Sequence, residues 1–265
     1  MIVVQHMLRL SQLDMALTAM SPLLALLVLA AGLHPCVGNE KHTAAFAALS
    51  TDLPEVQKEI VDIHNALRKQ VEPSASNMLK TEWNGTAAIN AKRWAENCVY
   101  SHSPGNQRKI EGDMACGENL FYSSVPKPWS DVMQAWFDER KDFIYGKGPT
   151  YEKAAIGHYT QLVWYTSYLI ACATSQCDHA KYNFFYVCQY CPAGNVLGIN
   201  FYYPYKEGEK CGDCPSKCDD GLCTNPCPQE DLLSNCANLK KAHSCEHPVM
   251  KQNCHASCLC VSEIH

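Results

Sequence analysis

Long apolar runs are scarce in this chain of 265 residues. The one candidate, residues 22–33 with the sequence PLLALLVLAAGL, is too short to span a bilayer comfortably, and no other stretch is apolar enough to try. Basic excess is missing too. Asp and Glu outnumber Lys and Arg 27 to 22, the formal net charge is −5, and no basic stripe runs through the sequence. That removes the electrostatic footprint of a nucleic-acid binder. No serine sits in a nucleophile-elbow pattern. No His-Glu-x-x-His run offers a preassembled metal protease site. No internal repeat divides the chain.

Cysteine, in contrast, is abundant and unevenly placed. Of 17 cysteines, ten (Cys211, Cys214, Cys218, Cys223, Cys227, Cys236, Cys245, Cys254, Cys258 and Cys260) fall in the stretch 211–260. That stretch is too short and polar to bury much core, so disulfides must staple it. Residues 22–33 read as the apolar core of a signal peptide, with Arg9 ahead of them and small residues at Cys36 and Gly38. The expectation is a leader over 1–38 and a secreted, extracellular mature chain. Loss of Cys36 would leave an even set, which suits an oxidising compartment. Zinc is the competing use of pairs such as Cys188-x2-Cys191 and Cys211-x2-Cys214, and secretion argues against it. Asn84-Gly85-Thr86 is a glycosylation sequon and agrees with secretion.

Periodicity gives a coarse architecture. In 52–71, Val56, Ile60, Ile63, Leu67 and Val71 form one helical stripe, with Thr51 or Asp52 as the cap, Pro54 in the first turn and Pro73 as the stop. A second helix is expected over 86–99. A third is expected over 130–142, opened by Ser130 and Asp131, with Val132, Ala135 and Trp136 facing in. Tyr168–Thr174 and Tyr182–Tyr190 are rich in aromatic and β-branched residues and read as strands. Ile199–Tyr203 is a last short strand candidate. Helices followed by strands predict an α+β fold, a sheet with helices packed over it. Pro204 to Gly212 is polar and contains glycine, which reads as a hinge.

Four residues stand out chemically. His102 lies in Ser101-His102-Ser103, Glu118 in Gly117-Glu118-Asn119-Leu120, Glu139 near the end of the third helix, and His158 at the head of Gly157-His158-Tyr159-Thr160. Two imidazoles and two carboxylates suit a divalent metal. Carboxylates can instead hold the ring N–H groups and orient the histidines. With 11 histidines and 27 acidic residues in the chain, spacing alone favours a plain local hydrogen bond for any one pair.

Longer motifs change that weighting. Gly157–Ser167 resembles the first signature of the CAP superfamily. The run Phe185-Tyr186-Val187-Cys188-Gln189-Tyr190-Cys191-Pro192-Ala193-Gly194-Asn195-Val196 resembles its second. Ile63-His64-Asn65-x-x-Arg68 and Gly117–Leu120 look like its two shorter motifs. The ten-cysteine tail is similar to that of the cysteine-rich secretory proteins of vertebrate reproductive tract, saliva and venom. Asn77–Lys80 and Leu222–Asn225 look like the mammalian members.

The resemblance implies a three-layer α-β-α sandwich over 39–205, a disulfide-bonded hinge over 206–226, and a small helical domain over 227–260 similar to channel-blocking toxins. It implies that His102, Glu118, Glu139 and His158 line a cleft where zinc binds in some relatives, with the histidines as ligands. It implies the pairs Cys98–Cys177, Cys116–Cys191, Cys172–Cys188, Cys211–Cys218, Cys214–Cys223, Cys227–Cys260, Cys236–Cys254 and Cys245–Cys258.

The implied function is that of a non-enzymatic secreted protein that associates with sperm, acts in capacitation and egg binding, and modulates calcium or other ion channels. Its egg-binding segment would be 185–196, whose composition equally suits a core strand. The toxins' Lys-aromatic pair is missing, since Lys240 and Lys241 precede Ala242 and His243. Innate defence, sterol or lipid carriage, and zinc-dependent hydrolysis are the alternatives.

Overall fold

A computed structural model describes residues 44–178, 181–196, 199–229, 231–233 and 235–265. The expected leader, with Cys36, lies outside the described residues. Phe46–His265 form one compact unit. No helix among the described residues is long and apolar enough to cross a membrane.

The centre is a four-stranded sheet in the order β1 (Glu82–Trp83), β5 (Leu169–Gln176), β6 (Phe184–Cys191), β2 (Gly117–Ser123). β6 pairs antiparallel with both β5 and β2, while β1 runs parallel to β5. Every residue of β6 is buried, because helices cover both faces of the sheet. Strand alternation then sorts its side chains. Phe184, Tyr186, Cys188 and Tyr190 pack with α1 (Pro54–Arg68), α3 (Trp129–Asp138) and α4 (Gly157–Leu162). Phe185 and Val187 pack on the other face against Ala91 and Ala95 of α2 (Gly85–Glu96). The fold is therefore the expected α-β-α sandwich.

Local details differ where tertiary contacts won. α1 begins on Leu53 with no side-chain cap. Pro54 removes one orphan N–H, and Asp52 is drawn away to an ion pair with Lys92 at 2.9 Å. The helix ends at Arg68, before Pro73. In α3 the inward stripe is Trp129, Val132, Met133, Trp136 and Phe137, and Ala135 is exposed. Ala135 is on the opposite side at 100° per residue. Ile199–Tyr202 is a 3₁₀ turn and not a strand. The segment pairs with no strand of the sheet, and the Tyr202 carbonyl instead accepts from Gly146 N at 2.9 Å. Its ring lies where a Cβ on Gly148 would stand 2.4 Å from Cε1. Gly148 joins the hairpin of β3 (Phe143–Ile144) and β4 (Gly148–Pro149).

Eight disulfides form: Cys98–Cys177, Cys116–Cys191, Cys172–Cys188, Cys211–Cys218, Cys214–Cys223, Cys227–Cys260, Cys236–Cys254 and Cys245–Cys258. The tail carries the β7 (Cys218–Asp219) and β8 (Leu222–Cys223) pair and three short helices, α5 (Cys236–Ala242), α6 (Pro248–Asn253) and α7 (His255–Leu259). Its small buried clusters are mostly half-cystines, joined by Ala256 and Met250. The segment 204–212 is hydrogen-bonded along its length: Ser76 N donates to Lys206 O at 2.8 Å and Gly208 N to Ser74 O at 2.9 Å.

Candidate functional site

The four singled-out residues form two His–carboxylate pairs that flank β2. In the first, Glu118 lies on the α2 side of the strand, in line with Leu120 and Tyr122. Its side chain is fully buried, at 0% exposed, while that of His102 is 58% exposed. Glu118 Oε1 accepts from His102 Nδ1 at 2.9 Å and from Ser103 N at 2.9 Å, and Oε2 accepts from Ser103 Oγ at 2.8 Å. Burial alone would raise the Glu118 carboxyl. The bonds from His102 and Ser103, with the charge of Arg108, outweigh it and hold the group below the usual carboxylate value. Glu118 is thus an ionised acceptor whose two oxygens are already engaged.

The second pair is built at a helix end. α4 has no side-chain cap of its own. Glu139, in the 3₁₀ turn after α3, caps it from outside: Oε2 accepts from His158 N at 2.9 Å and Tyr159 N at 3.1 Å. Oε1 accepts from His158 Nδ1 at 2.6 Å. The His158 ring stacks on Trp136, with centroids 6.2 Å apart and planes 16° apart.

A buried polar chain supports this pair from behind. Asn119 Nδ2 donates to His158 O at 3.0 Å and to Tyr190 Oη at 3.4 Å. Tyr190 Oη bonds His64 Nε2 at 2.9 Å, and His64 Nδ1 bonds the Ile60 carbonyl at 2.8 Å. A carbonyl only accepts, so Nδ1 carries the proton and Tyr190 donates to Nε2. Burial lowers the His64 pKa to about 4, so this ring is neutral. Arg68 fixes the loop after α4 by donating to the carbonyls of Leu79, Leu162, Trp164 and Tyr165. Burial lowers its pKa to about 9, which leaves the guanidinium charged at neutral pH.

In both pairs the carboxylate accepts a hydrogen bond from Nδ1–H, which fixes the tautomer and leaves the Nε2 lone pair as the ring's free ligand atom. That is the arrangement of a carboxylate-oriented metal ligand. No group of three ligand atoms within 4.8 Å of one another, among the described residues, includes any of these four side chains. Among the described residues, the groups of three ligand atoms within 4.8 Å are Cys211, Cys214 and Cys223, and Asp231, Cys236 and Cys254. Every one of those sulfurs is in a disulfide, so none is a thiolate ligand.

The segment 185–196 is split. Phe185–Cys191 is core strand with no exposed side chain and cannot meet a partner in the folded protein. Only Pro192–Val196 reach the surface, with Val196 41% exposed. Asn84 is a helix cap, its Oδ1 accepting from Ala87 N at 2.8 Å. The supports from Ser103, Arg108, Asn119 and Trp136 went unnoticed in the sequence. Ser103 adjoins His102 and Asn119 adjoins Glu118, so proximity was a usable signal for those two. Periodicity marks Trp136 as an inward position of α3, and nothing local marks Arg108.

Residues 61–190 match the cysteine-rich secretory protein family, and residues 211–265 match the Crisp family. NaASP2, solved with Zn2+, is similar at 30% identity over 65% of this chain and 96% of its own, with a TM-score of 0.53. BmVAL-1 is similar at 28% identity over 67% of this chain and 98% of its own, with a TM-score of 0.52. Na-ASP-1 shares 32% identity over 63% of this chain at a TM-score of 0.52, and the chain spans 46% of that protein's length. The chain belongs to the cysteine-rich secretory protein family, with a CAP sandwich followed by a Crisp tail.

Proposed function

We propose that this chain is a secreted, non-enzymatic binding and regulatory protein. Its Crisp tail modulates ion channels, calcium channels first, and its sandwich engages the sperm and egg surface. The observation that carries this is the tail, whose buried clusters are mostly half-cystines. Crosslinks hold a small surface in its binding shape and so lower the ordering cost of association. Eight disulfides are the chemistry of an oxidising compartment and support secretion. On the sandwich, Pro192–Val196 is the part of the second signature open to a partner. The test is patch-clamp recording of sperm calcium current and egg-binding competition with the purified chain. No effect on either would refute this assignment, and sterol binding or defence activity in its place would move it to those relatives' roles.

The same reading includes zinc as a regulatory ligand. The residues fit it: His102 and His158 each present Nε2, while Glu118 and Glu139 orient them. Bound there, zinc would act as a Lewis acid toward a water or carbonyl. The Ser103 hydroxyl donates to Glu118 and meets no histidine in these contacts. Calorimetry with Zn2+ tests this, with His158→Ala expected to lose binding and keep the fold.

A further inference from the structure

A cavity of about 800 Å³ opens where the sandwich and the tail meet. On the sandwich side its walls include Trp164, Tyr165, Tyr203 and Tyr205, and on the tail side Asp231 and Ile264. The walls are braced before any ligand arrives. Arg68 holds the carbonyls of Trp164 and Tyr165 at 2.8 and 3.1 Å. Tyr165 Oη donates to the His265 carbonyl at 2.9 Å, and Ile264 bridges to Pro226. Tyr145 Oη donates to the Tyr205 carbonyl at 2.7 Å, with the two rings 5.1 Å apart. A pocket of this size, with six aromatic rings beside polar groups in its lining and set between two parts of a fold, has the usual form of a small-molecule site.

Charge selects the ligand class. Two carboxylates line the cavity, Asp213 and Asp231, and the basic side chains there are Lys206 and His265. Lys206 Nζ is committed to Asp213, at 2.8 Å to Oδ1 and 3.0 Å to Oδ2. Asp231 has no ion-pair partner among the described residues. Among the described residues its carboxylate accepts from Ser257, N at 2.9 Å and Oγ. Tyr165 senses that charge: burial and then Asp231 raise its phenol above the usual range. An anion would be repelled here. A neutral ligand would fit the volume but would leave a carboxylate without a counter-charge in a partly desolvated wall. An ammonium group would pair with Asp231 and lie against aromatic faces, which attract cations.

We propose that this cavity binds an amphipathic organic cation, its apolar body on the Trp164 and tyrosine wall and its ammonium at Asp231. The site is composite, since sandwich and tail each supply one half, and it is separate from the His102 and His158 pairs. The probe is dansylcadaverine, a fluorescent primary amine, compared with its neutral N-acetyl form on the intact oxidised chain. The amine should bind saturably with a blue shift, and the acetylated form about tenfold more weakly. Asp231→Asn should weaken the amine about tenfold and leave the acetylated form unchanged. Tyr203→Ala should weaken both. Equal affinity of the two probes, or no saturable amine binding up to millimolar concentration, overturns the proposal. If Asp231→Asn fails to fold, the comparison of the two probes on the unaltered chain decides.

Discussion

Lowering the pH from 7 to 4 should remove about 3 kcal/mol of stability through one side chain, His64. The ring is wholly buried, with Nδ1 on the Ile60 carbonyl and Nε2 on Tyr190 Oη. A proton on Nε2 would place a charge in a wholly buried site. Burial therefore lowers its pKa from 6.5 to about 4. Above 6.5 the ring is neutral both folded and unfolded, and contributes no pH dependence. Between 6.5 and 4 the unfolded chain binds one more proton than the folded one. Stability then falls by about 1.4 kcal/mol per pH unit as pH drops. Below 4 the folded ring also titrates and the loss stops growing. For a chain of this size the loss is a fall of roughly 10 °C in Tm.

The assay is thermal unfolding of the oxidised protein from pH 7.5 to 3.5, beside His64→Gln. The variant keeps an acceptor for Tyr190 but cannot titrate. It starts lower at pH 7.5, and the gap between the two proteins should close by about 3 kcal/mol toward pH 4. The carboxylates titrate in both proteins, so the difference isolates His64. A gap that stays constant across this window would mean that the ring accepts a proton in place, and the reasoning would fail.

Glu118→Gln should weaken Zn2+ binding about 10- to 100-fold with the fold retained, measured by calorimetry and circular dichroism. Arg68→Met strips the carbonyls of Leu79, Leu162, Trp164 and Tyr165 of their buried donors. It should cost about 3–5 kcal/mol in denaturant unfolding, and a loss below about 1 kcal/mol would show that water replaces the guanidinium. Gly194→Ala places a Cβ 2.6 Å from Trp164 Cγ and Gln161 Nε2, so a loss of about 1–3 kcal/mol is expected in the same experiment. Mild reduction of the intact chain should collapse the tail's dispersed amide signals before those of β5 and β6. The tail's clusters are mostly half-cystines, whereas the sandwich has a large core.

Periodicity and cysteine placement were enough to outline this protein. The stripe Val56, Ile60 and Leu67 places α1 against the core, because a 3.6-residue period leaves one face to bury. The aromatic and β-branched runs give β5 and β6, and the cysteine-dense end gives a stapled tail. The motifs around His102, Glu118, Glu139 and His158 mark those residues. What local pattern could not supply was competition between distant partners. Asp52 looks like a cap until Lys92, forty positions on, is folded beside it. Ile199–Tyr203 looks like a strand until the Tyr202 carbonyl is seen to accept from Gly146 N, away from the sheet, in a 3₁₀ turn. Phe185–Cys191 could be surface or core until helices close over both faces of the sheet.

The polar atoms depend on tertiary structure most of all. Ser103 and Arg108 reach their partners only when the loop after α2 closes on β2, and Asn119 only when β2 meets α4. Asp231 lines a cavity with Trp164 only because the tail docks on the sandwich. Hydrophobic periodicity is local and repeats, so a sequence displays it. Hydrogen-bond partners and counter-ions are single, directional and distant along the chain, so only the folded protein determines them.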